Sequence, residues 1–461
     1  MKRNVSLILV LVMAVSLFTG CGAKKTGKDA TEKTVITVGG WPTAEGPTLD
    51  SMNEKLKAFN KKYAGKIEVV PDTWAFSLDT FLVKAASGQL PTVYTTHFTE
   101  TDRIISAGYA ADITKQMKKF GYADKLNDNV KSFISRDGKY YMVPNSAYTM
   151  GMLANMEVLR KAGLVDKDDN PIFPKTYDEL TEYSKIVKEK TGKAGFVMPT
   201  TNNVGGWHFV IIAWANGVDF MKKTDGKWKA TFNTPECVNT LQWVKDLKWK
   251  YNVLNANTLI DYNEGMKLIG TGQAAYYLQS APQNALFSTY GMDKNDVAMG
   301  VIPKGDKKHV TLMGGSAVAI SNTATEAQKD AAFKWLEFTG LTPNATEDSK
   351  AAIEKEYATY NAENYAVGVP KFSQWSDDAK ITKFREEIIK KYTNIPIGHV
   401  SQYKMVDGLK VQTEEPVCCQ DLYSTLDACI QEVLTNKNAD CKKIIADAAK
   451  DFQANYLDNA K

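Results

Sequence analysis

The sequence predicts an α/β fold, and three observations carry the prediction. Strand-like and helix-like runs alternate from residue 34 onward. Apolar residues make up 44% and charged residues 24% of the chain, the balance of a packed globular body. The 461 residues allow two to three domains. Residues 35–38 are a β-branched run that closes in Gly39-Gly40, a strand and its turn. A helix follows over 48–63, because Met52, Leu56, Phe59 and Tyr63 recur at helical spacing and Asp50 puts negative charge near its start. Residues 67–70 form the next strand. The segment 77–87 is a helix ending at Gly88, with Leu78, Leu82 and Ala85 on one stripe. A third strand at 92–95 leads into a helix near 101–107. This order predicts a parallel sheet with helices on its faces. Such sheets bind ligands beyond the carboxyl ends of their strands. The loops beginning at Gly39, Val70 and Thr95 are therefore the ones to watch.

Further along, 137–141 reads as a hairpin on a Gly turn, and 148–153 as a strand leading to Asn155. Helices are predicted at 176–191, 234–250 and 262–269. Residues 205–216 are apolar and Trp-rich and end at Gly217; Trp214 there is expected in the core. Strands are predicted at 273–278, 298–302 and 316–320, with a turn at Gly305. A helix over 325–339 turns Ala327, Ala331, Trp335 and Phe338 inward. The last segment, 421–457, reads as two helices broken at 436–440. No internal repeat is visible.

The stretch LFTGCGAKK ends an apolar run over 5–18 that follows Lys2 and Arg3. The run is shorter than the roughly 20 residues a spanning helix needs. Positive start, short apolar core and small Thr19-Gly20 make 1–20 a secretory signal peptide. Cys21 follows at once, and the pattern resembles the lipobox of bacterial lipoproteins. That resemblance implies a diacylglyceryl group on Cys21, cleavage before it and acylation of the new amine; several acyl chains give a stable anchor. An ordinary cleaved signal with an incidental cysteine is the alternative. Residues 21–33 are then the lipidated cysteine and a polar, flexible tether.

The net charge of +4 falls to about +2 without Lys2 and Arg3, too little to argue for nucleic acid. Besides Cys21 there are Cys237, Cys418, Cys419, Cys429 and Cys441. Export permits disulfides, yet an odd count leaves one thiol over unless chains pair. Free buried thiols, a single bridge and a metal site all stay open. No pair has the spacing of a zinc site, and the four histidines are scattered, so neither metal nor cofactor is expected.

Six patterns then stand in a fixed order: VITVGGW; AASGQLPTVY at 85–94; GKYYMVPNSAYTMGMLANMEVLRKAGL at 138–164; GTGQAAYY at 270–277; MGVIPKGDKKHVTLMGGSAVAIS at 299–321 with AAFKWLEF after it; and EVLTNKNAD near the end. Together they resemble the extracellular solute-binding proteins of carbohydrate ABC transporters, the family that includes maltose-binding protein. The resemblance implies a periplasmic-binding-protein-like fold of two α/β lobes around a ligand cleft. Lobe 1 would hold 34–145 and 303–341, lobe 2 146–302 and 342–461. It also implies a monomer that closes on a carbohydrate and docks on permease subunits, at the extracytoplasmic face of the cell membrane. Thr92, where the family commonly has Asp, and Pro282-Gln283, where many relatives place Trp after Gly, depart from the pattern.

Sugar receptors stack aromatic rings on sugar faces and hydrogen-bond the hydroxyls. Trp41 follows the first strand in a cleft-lining loop, with a packed lobe edge as its plain alternative. Trp74 follows the second strand. His97 and Glu100 follow the third, where family members place polar sugar contacts; an exposed helix-capping pair is the alternative. Tyr148 lies at the interlobe crossing. Trp207 follows Gly205-Gly206 and precedes a helix. Gln283 occupies a second-lobe loop, and Tyr403 loosely matches a C-terminal aromatic contact of the family.

An anchored hydrolase would need two carboxylates flanking a glycosidic bond, and 53 acidic residues make such a pair conceivable. The sequence has neither G-x-S-x-G nor H-E-x-x-H. Gly270-Thr271-Gly272 with Ala275 mimics a dinucleotide fingerprint but precedes a strand and opens no helix. No catalytic residue is assigned. A receptor for a peptide, nucleoside or other solute is the remaining alternative, and the sugar itself is left open.

Overall fold

A computed structural model describes residues 33–403 and 409–460. Cys21, the signal peptide and nearly all of the tether lie outside the described residues. The described chain builds a six-stranded and a four-stranded sheet, together with two small hairpins. In the first sheet, Thr34–Val38 pairs in parallel with both Ile67–Pro71 and Val93–His97. The parallel start expected from the alternation is therefore present. The long strand Val310–Ile320 then runs antiparallel to Val93–His97 and to Met142–Thr149, with an irregularity between Ser316 and Ala317. Lys410–Thr413 closes that edge in parallel.

In the four-stranded sheet, Gly151–Asn155 is antiparallel to Ala274–Gln279 and Val297–Gly300, and Ala194–Val197 is parallel to Ala274–Gln279. Alternation along these strands sends successive side chains to opposite faces. Met152, Ala154, Phe196, Tyr276 and Leu278 face one apolar core. Leu153, Val197, Tyr277 and Met299 face another, with Val369, Ile395, Val400 and Tyr403. The six-stranded sheet has its own core, from Ile36 and Phe59 through Tyr122 and Phe333 to Trp335.

Two segments cross between these bodies side by side. Met142 and Val143 belong to the first core, Met150 and Met152 to the second. Val310 and Leu312 belong to the second, Met313 and Ala317 to Ile320 to the first.

Several elements differ from expectation. The strand expected at 316–320 begins at Val310. The helix Leu78–Ala86 buries Phe81, while Leu82 and Val83 are exposed, so its inward stripe is shifted from the expected one. Ala327 is exposed, although Ala331 and Trp335 are buried. The helices Glu347–Ala362 and Lys380–Tyr392 were not expected. Their Ile353, Tyr357, Ile381 and Ile388 pack into the core of the six-stranded sheet. That segment therefore joins the first body, not the second lobe to which 342–461 was assigned, because its apolar stripes meet the first core. The two C-terminal helices, Cys419–Thr435 and Cys441–Asn455, do pack in the second. Cys237, Cys418, Cys419, Cys429 and Cys441 are all free thiols. Among the described residues no cluster of His, Cys, Asp and Glu could hold a metal, and no helix is long and apolar enough to cross a membrane.

Candidate functional site

The helix Val204–Ala215 is apolar on every side, the pattern of a buried helix. Its first turn rests on the C-terminal helix Cys419–Thr435. A Cβ on Gly206 would come within 2.2 Å of the Tyr423 carbonyl oxygen, so only glycine lets the two backbones meet there. The Asp427 carboxylate accepts from the amides of Asn203 and Gly206, both at 2.7 Å, and supplies negative charge where the helix dipole favours it. This seat delivers Trp207, half buried, next to the crossing strand. The rings of Tyr148 and Trp207 meet edge to face, 6.3 Å apart. Burial, with Glu414 and Tyr262 nearby, pushes the Tyr148 phenol far above its usual range. Tyr262 opens the helix Tyr262–Gly270, and burial pushes its phenol up to about 12.

Along the same crossing, the six-stranded sheet carries small polar side chains. His97 ends its strand, is exposed, and pairs in register with Ser316. Ser316 Oγ accepts from Asn145 Nδ2 at 3.0 Å and shares a 2.9 Å hydrogen bond with Ser146 Oγ. Glu100 is 7% exposed. Burial raises its pKa, Arg103 opposes that shift, and Asp421 of the second body adds to it. Glu414 is also buried, and desolvation lifts its pKa to about 7; its carboxylate accepts from the Tyr423 hydroxyl at 2.9 Å. Aromatic rings together with hydroxyls, an imidazole and a carboxamide suit a polar ligand with weakly apolar faces.

The structure brings Tyr148 and Trp207 together and places His97 and Glu100 at the end of a strand of the six-stranded sheet. Gln283 is half buried in its loop, its amide held weakly by the Ala281 carbonyl at 3.4 Å. Trp74 stands at the edge of the first body. Its indole nitrogen donates to Thr80 at 3.1 Å, and the Lys84 ammonium lies 5.5 Å over its ring.

Two expected contacts are corrected. Trp41 is 5% exposed, packs 6.2 Å from Trp335 and donates its indole N–H to Asn53. A ring enclosed in this way offers no face to a sugar. Tyr403 is 9% exposed, and its hydroxyl lies at bonding distance from the carbonyls of Thr149 (2.7 Å) and Ser280 (2.9 Å). A Cβ on Gly151 would come within 2.4 Å of its ring. Tyr403 is therefore a brace between two strand ends.

Sequence reasoning missed Tyr262, Ser316, His208 and Gln279. Gln279 ends a strand, so the rule that flagged the first-body loops would have found it. His208 gave no signal inside its apolar run. A separate depression on the outer side of the second body, lined by Asp178, Glu182, Trp243, Asp246 and Tyr251, has Trp243 already donating to Thr181 and Asp246 accepting from Gln242.

Comparison with known proteins places this geometry in a family. The bacterial extracellular solute-binding proteins match residues 54–375, more than two thirds of the chain. The chain belongs to that family. Among its relatives, the arabinooligosaccharide-binding protein of Bacillus subtilis is 27% identical over 254 residues, 54% of this chain and 55% of the relative. The match thus spans about half of that relative's length. The polygalacturonan/rhamnogalacturonan-binding protein YtcQ of the same organism is 22% identical over 354 residues, 71% of this chain and 68% of its own. The solved cyclic alpha-maltosyl-1,6-maltose binding protein of Arthrobacter globiformis superposes with a TM-score of 0.65 at 19% identity, covering 92% of this chain and 98% of that one. It shows that the solute-binding fold is shared. The α/β architecture expected from the sequence is that of the family.

Proposed function

We propose that the chain is an extracytoplasmic receptor that captures a sugar or oligosaccharide between two closing lobes and delivers it to an ABC transporter permease. The observation that carries this reading is the contact of Tyr148 with Trp207, near Tyr262, on the crossing strand that also carries Asn145 and Ser146 and pairs with Ser316, itself in register with His97. Stacking rings and neutral hydrogen-bonding groups are what a saccharide requires. Relatives named for arabinooligosaccharide and polygalacturonan/rhamnogalacturonan binding support the class. Closure follows if the ligand binds the closed arrangement more tightly than the open one. The receptor acts as a monomer, carries no cofactor, performs no chemistry on its ligand, and is held at the membrane through lipid on Cys21.

A thermal-shift screen of the purified chain against mono- and oligosaccharides tests the reading. A ligand that binds only the folded state stabilises it by RT ln(1 + [L]/Kd), about 4 kcal/mol at a thousandfold excess over Kd. A clear shift with one glycan family is expected. Shifts confined to peptides or nucleosides would transfer the site to those solutes. Breakdown of the sugar on incubation would point to an enzyme. Mass spectrometry of the protein from native membranes tests the anchor; an unmodified Cys21 would remove it.

A further inference from the structure

Next to Trp207, five polar atoms of three side chains make no well-formed hydrogen bond, although the Tyr277 hydroxyl and the Gln279 amide lie close to one another. They are both ring nitrogens of His208, the Tyr277 hydroxyl, and both amide atoms of Gln279. All three residues are fully buried. The His208 and Tyr277 rings meet edge to face, 5.2 Å apart. Tyr277 and Gln279 are two residues apart on one strand and so share a face. Buried polar groups are nearly always partnered. Three unpartnered groups in one place point to atoms supplied by a ligand. The Trp207 ring lies 5.0 Å from that of His208 and is only half buried, so His208 adjoins the candidate site.

The chemistry of the three groups narrows the ligand. A neutral imidazole, a phenol and a carboxamide can each both give and accept a hydrogen bond. Burial lowers the His208 pKa to about 3, so the ring is neutral at ordinary pH. Hydroxyl groups match such partners, since they too give and accept. A carboxylate only accepts, and a buried charge must be paired. Neither the helix Val204–Ala215 nor the strand Ala274–Gln279 contains Lys or Arg. Lys267, on the neighbouring helix Tyr262–Gly270, is exposed.

We propose that His208, Tyr277 and Gln279 form a subsite for the hydroxyl groups of an uncharged saccharide unit, so that the receptor takes neutral glycans and rejects uronates. This rests on the saccharide-receptor reading above.

Calorimetry on the purified full-length chain, with arabinotriose, maltotriose and trigalacturonate as probes, tests it. At least one neutral trisaccharide should bind at least a hundredfold more tightly than trigalacturonate. The variants Gln279→Leu and Tyr277→Phe should each weaken that neutral ligand at least tenfold, with a thermal midpoint no lower than that of the unchanged protein. Tyr277→Phe keeps the ring, so it carries the test if Gln279→Leu does not fold. Trigalacturonate binding as tightly as the best neutral probe, or unchanged affinity in both variants, would overturn the subsite and leave the saccharide receptor standing. Binding of a non-saccharide solute with no response to any glycan would remove the receptor reading and the subsite together.

Discussion

Tyr148 and Trp207 meet at right angles, their ring planes 89° apart and their centroids separated by 6.3 Å. One belongs to a strand that crosses between the two bodies, the other to a helix seated on the C-terminal helix. Their contact ties this aromatic pair to the crossing itself. Replacing Trp207 with Ala should weaken sugar binding at least tenfold, about 1.4 kcal/mol, while circular dichroism stays unchanged. Titration calorimetry showing wild-type affinity would take Trp207 out of the site.

Trp41 should behave in the opposite way. It fills the first core against Trp335, so Trp41→Ala leaves a cavity. Large-to-small changes of aromatic core residues cost about 3–5 kcal/mol. Denaturant unfolding should report a loss of that order. Sugar affinity, measured well below the midpoint, should not move.

These two tryptophans show where the sequence was legible. The alternation of strand and helix gave the first sheet its parallel start, because side-chain period is a local property. Trp207 and Tyr148 stood out because a glycine pair and a Pro-flanked crossing are visible in a few residues. The burial of Trp41 depends on Trp335, far away in the chain, and no local pattern records it. The strand expected from 316 begins at Val310, and Gly314-Gly315 sits inside it. The helix Glu347–Ala362 escaped notice because Ile353 and Tyr357 are its only large buried apolar residues, too narrow a stripe to read. His208 was hidden among the apolar neighbours of its helix, whereas Gln279 stood at a strand end where the rule for ligand loops reaches it.

Tyr403→Phe should lower stability, not affinity in the first instance. The change removes the hydroxyl between the Thr149 and Ser280 carbonyls. Leaving buried acceptors without a donor costs about 1–3 kcal/mol. Guanidinium titration monitored by tryptophan fluorescence would measure it; a midpoint equal to that of the unchanged protein would show that the brace is idle.

Glu414 gives stability a pH dependence with a definite sign. Its folded pKa of about 7 lies above the value near 4.3 of an unfolded Glu. The folded state therefore binds the extra proton between these values, and stability falls as pH rises. The contribution is complete below about pH 4 and is lost as pH passes through 7, by about 4 kcal/mol at most. Glu414→Gln should flatten that part of the curve. Thermal midpoints of both proteins taken from pH 5 to pH 8 would check this, and parallel curves would contradict it.

The crossing strands Met142–Thr149 and Val310–Ile320 are hydrogen-bonded neighbours that each thread both cores. Twisting one body against the other about the strand direction would tear this ladder. Bending across it asks only for small torsions, most easily where the pairing slips between Ser316 and Ala317. The join therefore acts as a flexure: it is soft along one swing and stiff along every other. Two bodies mounted on such a join would return to the same bite each time they closed.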